Sequence, residues 1–325
     1  MKMAEKKIEK WDCFLYFCAF FDIIVSDGIK IVVIPFYYTT KTRGGKEMFA
    51  FLSSFFEKEF IDCYAPIPLS ACRIVRPYLL EKEEIENGTV IVMAIPYFSP
   101  ACMDPERNIS AYAVSRDYHL FYRQLFERLL SALREAFPQN KFAAFADHSP
   151  IDELDAAAKA GLGKIGKNHL LITPKYSSYV FLGELITDAV LPCEPKPVTP
   201  CEGCGKCLSA CPMEDCGTCL SALTQKKGEL TEHEQACILK YGSLWGCDIC
   251  QQVCPHTQKA LKSQSIASPI PFFGECATPH LTSKILEEMS EEEFLKRAYS
   301  WRGRNTILRN LKLAEAAQEK GIKEC

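Results

Sequence analysis

The chain has 325 residues, 48% of them hydrophobic and 24% charged, which excludes intrinsic disorder, collagen and coiled coil and suffices for one sizeable core plus a smaller module. Its 38 lysines and arginines against 41 acids give a formal charge of −3, so it does not coat a polyanion by bulk charge, and a nucleic-acid partner must meet a local basic patch. The abnormal number is 18 cysteines, eleven of which fall between Cys193 and Cys254.

Residues 1–47 read as an atypical N-terminal extension: basic, then greasy, then a linker-like polar stretch from Thr39 to Gly45. The apolar run 13–21 is too short to span a bilayer, and no small-residue cleavage site follows it. A cytoplasmic, reduced protein with no membrane contact is therefore expected. In that compartment clustered cysteines bind metal more often than each other.

From Met48 the pattern becomes regular. Residues 49–60 have helical spacing, and 89–97 (TVIVMAIPY) reads as a buried strand. An amphipathic helix is predicted over 112–137, with Tyr118, Tyr122, Leu125, Phe126, Leu129, Leu130 and Leu133 on one stripe. Residues 141–147 read as a strand. Ser149-Pro150, backed by Asp152 and Glu153, reads as a helix start, and Gly161 as that helix's end. Residues 168–172 and 178–186 are strand-like. The proline-rich segment 192–200 is then a stiff connection, and beyond Pro255 the chain turns helical and mixed in charge, with HEAT-type helix pairs left open.

Cys201-x2-Cys204-x2-Cys207-x3-Cys211-Pro212 has the bacterial ferredoxin spacing, in which three thiolates take three corners of one cubane and the fourth crosses to a second. Tetrahedral zinc uses paired C-x2-C units but needs neither the third cysteine nor the fourth before proline. The second run, Cys247-x2-Cys250-x3-Cys254-Pro255, lacks its leading member, because Leu244 stands there. Crossing makes Cys254 complete the cluster of Cys201, Cys204 and Cys207, while Cys211 joins Cys247 and Cys250. Cys216, Cys219 and Cys237 compete for the vacant corner. Two such clusters form a one-electron wire, so the chemistry belongs upstream.

Upstream, the glycines 161, 163 and 166 satisfy G-x-G-x-x-G literally, but they follow a helix, and the dinucleotide reading fails its context test. Asp117 and His119 lie near a helix start and Asp147 at a strand end, places where an acid is commonly a cap. These residues alone name no substrate.

Taken in order, Ser115-Arg-Asp117-Tyr-His119, Asp147, Ala160-Gly-Leu-Gly-Lys-Ile-Gly-Lys-Asn168, Phe181-Leu-Gly-Glu-Leu-Ile-Thr187-Asp188, the ferredoxin loop, Leu220-Ser-Ala-Leu-Thr-Gln-Lys-Lys-Gly228 and Gly246-Cys-Asp-Ile-Cys250 resemble the epoxyqueuosine reductase family. The resemblance runs from about Thr89 to Pro255. It implies an α+β fold: a cobalamin-binding catalytic α/β domain over 48–192 related to that of reductive dehalogenases, a double 4Fe-4S ferredoxin-like domain over 193–260, and a helical region over 261–325. The implied reaction is the two-electron removal of an epoxide oxygen as water from a modified guanine at the wobble position of tRNA.

The resemblance further implies that Asp147 donates the proton, with Asp117 and His119 in the same catalytic pocket. Such a donor must be kept protonated by burial against the corrin and substrate, since exposure would ionise it. Cobalamin contacts are implied for Tyr112, Asp117, His119, Asn168, Gly183, Glu184 and Thr187. Cys219 is implied as the ligand that completes the second cluster, with Cys216 and Cys237 as spares. For tRNA, the resemblance points to Gln225, Lys226 and Lys227. Independently, Lys296, Arg297, Arg302, Arg304, Arg309 and Lys312 fall in a stretch without one acid, interleaved with Tyr299 and Trp301, so Arg302, Arg304 and Arg309 are expected at the anticodon stem-loop. The competing reading has this stretch balancing Glu287, Glu288, Glu291, Glu292 and Glu293. A monomer fed by a flavodoxin or ferredoxin is expected. The alternatives are a corrinoid reductase of a small molecule and an electron carrier without cobalamin.

Overall fold

Thr89–Pro96 carries no charge, is rich in β-branched residues, and is buried along its whole length. It is a central strand of the large domain in the computed structural model, which describes residues 24–25, 28–29 and 36–320. The apolar run 13–21 and most of the 1–47 extension lie outside the described residues. Residues 1–40 and 41–325 form separate compact units. In the first, β1 (Ile24–Val25) pairs antiparallel with β2 (Gly28–Ile29). The helix α1 (Phe36–Lys58) covers the stretch read as a linker. Its Gly45 passes so close to the chain that an added Cβ would stand 2.4 Å from the Val190 carbonyl oxygen, which is why a poor helix former sits there.

The sheet has the order β3-β4-β8-β5, antiparallel throughout, from β3 (Tyr64–Pro68), β4 (Thr89–Pro96), β5 (Phe142–Phe145) and β8 (Val180–Thr187). The sequence gives no strand signal at β3, because Pro66 and Pro68 lack amide hydrogens. The strand survives as an edge, where those donors are not needed. The short helix α2 (Pro77–Lys82) lies between β3 and β4. The helix α3 (Tyr118–Ala136) begins at the first residue of its stripe, later than the expected 112, is capped by Asp117, and buries Tyr122, Leu125, Leu129 and Leu133.

The cap of α4 (Glu153–Ala160) is Asp152, not Ser149: its carboxylate accepts the Asp155 amide at 2.9 Å. Four buried alanines let α4 lie close on the sheet, and it ends at Gly161 with φ 85°. The glycines that follow open a hairpin of β6 (Lys164–Ile165) and β7 (Leu171–Ile172), with no strand–glycine–helix context for a dinucleotide.

Residues 192–199 have no regular structure. The cysteine-rich module is built of short helices: α5 (Lys206–Ser209), α6 (Met213–Cys216), α7 (Leu220–Thr224), α8 (Glu232–Tyr241), α9 (Ile249–Gln252) and α10 (Pro255–Lys262). After it come α11 (Ser283–Glu288), α12 (Glu291–Leu295) and α13 (Arg304–Glu319). Only α13 of these last three exceeds six residues, so the HEAT-type pairing left open by the sequence is absent among the described residues.

Asp248, between two of the motif cysteines, fastens the module to the sheet domain. It is buried and accepts from Arg107 Nη1 at 2.7 Å, from the Ala111 amide at 2.7 Å and from the Ser110 hydroxyl. One apolar core runs from Met93 of β4 to Ile238 of α8 and Leu311 of α13. Among the described residues, no helix is long and apolar enough to cross a membrane.

Candidate active site and metal centres

The cap of α3 and the loop after β5 bring three of the sequence-selected residues together. His119 Nδ1 lies 2.7 Å from Asp117 Oδ1, and His119 Nε2 lies 2.9 Å from Asp147 Oδ2. Tyr118 adds a hydroxyl hydrogen bond to Asp147 and stacks on Phe181, with ring centroids 4.0 Å apart. The His119 and Asp147 side chains are about half exposed, at 53% and 54%, so a ligand can reach both.

Charge follows from this geometry. Hydrogen bonds to Asp117 and then Asp147 push His119 up to about 10, so its imidazole is a cation at neutral pH. Burial raises Asp147, but the hydrogen bonds from His119 and Tyr118 together outweigh it and hold the carboxyl below its usual value. With this edge open, the pair places its proton on His119, and an undissociated Asp147 requires the further burial that a corrinoid and substrate would bring.

Beneath the loop lies a pair of acids whose role the sequence did not reveal. Glu184, in the middle of β8, is fully buried, and neither of its carboxyl oxygens has a hydrogen bond of ordinary geometry. Burial first, and then the neighbouring Glu153, drive it far above the carboxylate range, so it is neutral. Glu153, at the start of α4, is also raised, chiefly by burial, and its Oε1 accepts the Asp147 amide at 3.1 Å.

The seven residues expected at cobalamin fall in four places. Asp117 and His119 stand on the accessible polar edge. Gly183, Glu184 and Thr187 lie inside the sheet, and a Cβ on Gly183 would meet the Tyr122 ring at 2.5 Å. The Glu184 and Thr187 side chains are fully buried in the interior strand β8. Tyr112 packs against Gly246 beside the second cysteine run, where a Cβ on that glycine would stand 2.7 Å from its ring. Asn168 belongs with the first cysteine loop, and its Oδ1 is buried without a partner.

Cys201, Cys204, Cys207 and Cys254 line one cavity of about 310 Å³, together with Asn168, Lys167, His256 and Lys259. This is the crossed set that the spacing predicted. The left-handed Gly203 and Gly205, at φ 71° and 78°, turn the loop around it. Among the described residues no three His, Cys, Asp or Glu side chains converge on a single-ion site, so these thiols surround a space and do not meet at a point. That arrangement fits a cubane, whose cysteines bind at separate corners.

In the second group, Cys250 stands among Cys211, Cys207 and Cys219, and Cys247 stands near Cys250 and Cys219. Burial holds Cys247 up at about 12 as a thiol, a penalty that a bound metal's charge offsets. Cys216 and Cys237 turn towards each other, and burial followed by that neighbour raises Cys216 to about 12. Of the three competitors for the vacant corner, Cys219 is the one beside the other thiols. Leu244, in the place of the missing cysteine, is a core residue.

Four of the six cations of the basic stretch pair with acids of the preceding segment. Lys296 pairs with Glu292, Arg297 with Glu293, Arg304 with Glu291, and Lys312 with Glu287. Arg309 donates to the backbone carbonyls of Lys226 and Gly228, and Tyr299 is fully buried. The charges of Arg304 and Arg309 are thus engaged within the fold. What remains is a cavity of about 440 Å³ lined by Cys219, Gln225, Lys226, Lys227, Trp301 and Arg302. There Arg302 lies over the exposed Trp301 ring at 3.7 Å, Lys226 pairs with Glu234, and Gln225 donates to the Ser221 carbonyl.

Comparison with known proteins adds the following. The family model described as "Epoxyqueuosine reductase QueG, DUF1730" matches residues 85–148. The epoxyqueuosine reductase of Listeria monocytogenes serovar 1/2a is 35% identical over 258 residues, 73% of this chain and 65% of the relative. That of Lactococcus garvieae is 32% identical over 253 residues, 72% of this chain and 70% of the relative. The chain spans less than two thirds of several of these curated relatives, 54% in the case of Bacillus cereus. A selenomethionine-labelled epoxyqueuosine reductase matches with TM-score 0.63 and 26% identity, over 83% of this chain and 82% of that one. An epoxyqueuosine reductase solved with an epoxyqueuosine-modified tRNA-Tyr stem loop matches with TM-score 0.63 and 25% identity, over 83% and 81%. The mixed helix-and-sheet fold, the ordered motifs and these relatives agree, and the chain belongs to the epoxyqueuosine reductase family.

Proposed function

We propose that this chain is an oxidoreductase that reduces epoxyqueuosine to queuosine in tRNA, using cobalamin and two 4Fe-4S clusters. The observation that carries the reading is the joint presence, in one family member, of the His119–Asp147 pair on an accessible edge and the crossed cysteine set around its cavity. Cys201, Cys204, Cys207 and Cys254 would hold one cluster, and Cys211, Cys219, Cys247 and Cys250 the other. When bound, the clusters supply electrons singly and the corrinoid supplies a strongly reducing cobalt centre.

The protein's own contribution is the proton. Opening the epoxide to an alkene consumes two electrons and two protons and releases one water. His119 holds a proton at Nε2, 2.9 Å from Asp147 Oδ2. A substrate seated on this edge excludes water, which raises Asp147 by desolvation and lowers the histidine. The proton then passes from Nε2 to Oδ2, and Asp147 delivers it to the departing oxygen while Asp117 keeps the imidazole oriented. Solvent supplies the second proton. The anticodon stem-loop would meet Lys227, Arg302 and Trp301, since a cationic rim beside an exposed aromatic suits unpaired RNA. The cationic cavity beside Cys219 is also where a flavodoxin or ferredoxin would compete.

Mass spectrometry of tRNA nucleosides from a strain lacking this gene tests the reading. Accumulated epoxyqueuosine supports it, and an unchanged queuosine level contradicts it.

A further inference from the structure

Asp147 has a backbone φ of 64°, a left-handed conformation uncommon outside glycine that aspartate tolerates better than most residues, so its neighbours help to fix it. One side chain reaches its amide: Glu153 Oε1 accepts the Asp147 N–H at 3.1 Å. We propose that Glu153 is a positioning residue, holding the Asp147 loop so that the carboxylate meets His119. This deepens the reading above and rests on Asp147 being the acid that faces substrate.

The surroundings of Glu153 suit that task. It is the first residue of α4, where the helix's positive end favours a carboxylate, and Arg76 from the segment before α2 adds positive charge. From β8 it is faced by Glu184, and from the loop above by Asp147. Glu184 is in turn surrounded by Ser149, Tyr122 of α3 and Cys72. Two buried carboxyls so close do not both ionise. The deeper Glu184 keeps the proton, which leaves Glu153 free to accept from the Asp147 amide.

His119 reports on this arrangement. Three groups face it: Asp117 and Asp147, which raise its titration to about 10, and the Tyr118 ring, 4.2 Å away. If Glu153 loses its acceptor, the loop relaxes, Asp147 leaves Nε2, and His119 keeps one carboxylate partner. Glutamine retains a carbonyl oxygen that can accept the same amide, whereas methionine does not.

The test is an NMR titration of the full chain labelled with 13C-histidine. The His119 signal is assigned among the six histidines by its disappearance in His119→Gln. The expected result is a His119 midpoint lower by about one unit or more in Glu153→Met and restored in Glu153→Gln. An unchanged midpoint in folded Glu153→Met, or failure of Glu153→Gln to restore it, overturns the proposal. If Glu153→Met does not fold, Glu153→Asp takes its place: its shorter side chain withdraws the acceptor, and the same fall is expected. This readout needs no cofactor or turnover. A shifted titration in a protein that forms no queuosine would therefore sink the functional reading and leave the positioning role standing.

Discussion

His119 Nε2 lies 2.9 Å from Asp147 Oδ2, and this contact joins the first turn of α3 to the loop after β5. The histidine is raised to about 10 and the aspartate is lowered, so both are charged at neutral pH. For His119, whose folded value exceeds the unfolded one, the stabilisation is full below about pH 6.5 and is lost as pH rises through about 10. For Asp147, whose folded value is depressed, it is present above the unfolded value of about 3.9 and is lost as pH falls through the folded one. The Tm difference between wild type and His119→Gln should therefore be largest near pH 6 and shrink towards pH 10, as followed by thermal unfolding at stepped pH. A pH-independent difference would contradict the charged pair.

Legibility in the sequence followed the range of the interaction. The cysteine loops, the cap Asp117 and the strand 89–96 are local patterns, and the structure has them where the spacing put them. Edge strand β3 was invisible because its prolines mask a strand whose existence depends on the partner β4. For the basic stretch the sequence offered the acids at 287–293 as partners but not the pairing, and only the fold lays Glu287 and Glu291 against Lys312 and Arg304. The surroundings of Asp147 were illegible for a similar reason. Its state is set by a histidine 28 residues away, while Glu153 and Glu184 meet beneath it only in three dimensions.

Replacing Asp147 by asparagine removes the group proposed to deliver the proton. Turnover of epoxyqueuosine-containing tRNA should fall roughly 10²–10⁴-fold, the usual contribution of a general acid, with cluster content unchanged. Single-turnover kinetics with quantified iron checks both parts.

Cys219 and Cys237 test the proposed assignment of the second cluster's ligands. Cys219→Ser should lose iron and the electron paramagnetic resonance signal of one reduced cluster, whereas Cys237→Ser should keep both clusters. Loss in Cys237→Ser with retention in Cys219→Ser would reverse the assignment.

Asp248 is buried and bonded to Arg107, Ser110 and the Ala111 amide. Asp248→Ala leaves the part-buried Arg107 guanidinium without its carboxylate and should destabilise the protein by about 3 kcal/mol, the lower end for a broken buried pair. Denaturant unfolding measures this directly.

Lys227 and Arg302 differ from Arg304 in what they touch. Replacing either of the first two by glutamine should weaken binding of a tRNA stem-loop and reduce the slope of log K against log salt by roughly 0.7–0.9 per lost phosphate contact. Arg304→Gln should lower Tm and leave that slope unchanged, because its charge is committed to Glu291 and the Leu286 carbonyl. Fluorescence anisotropy across a salt series distinguishes the two effects.

The most direct measurement is incubation of the anaerobically reconstituted protein, with cobalamin and a chemical reductant, with tRNA carrying epoxyqueuosine, followed by mass spectrometry of the digested nucleosides. The account predicts a product lighter by one oxygen, formed by wild type and lost in Asp147→Asn. Unaltered epoxyqueuosine after incubation with protein that holds both clusters and the corrinoid would contradict it.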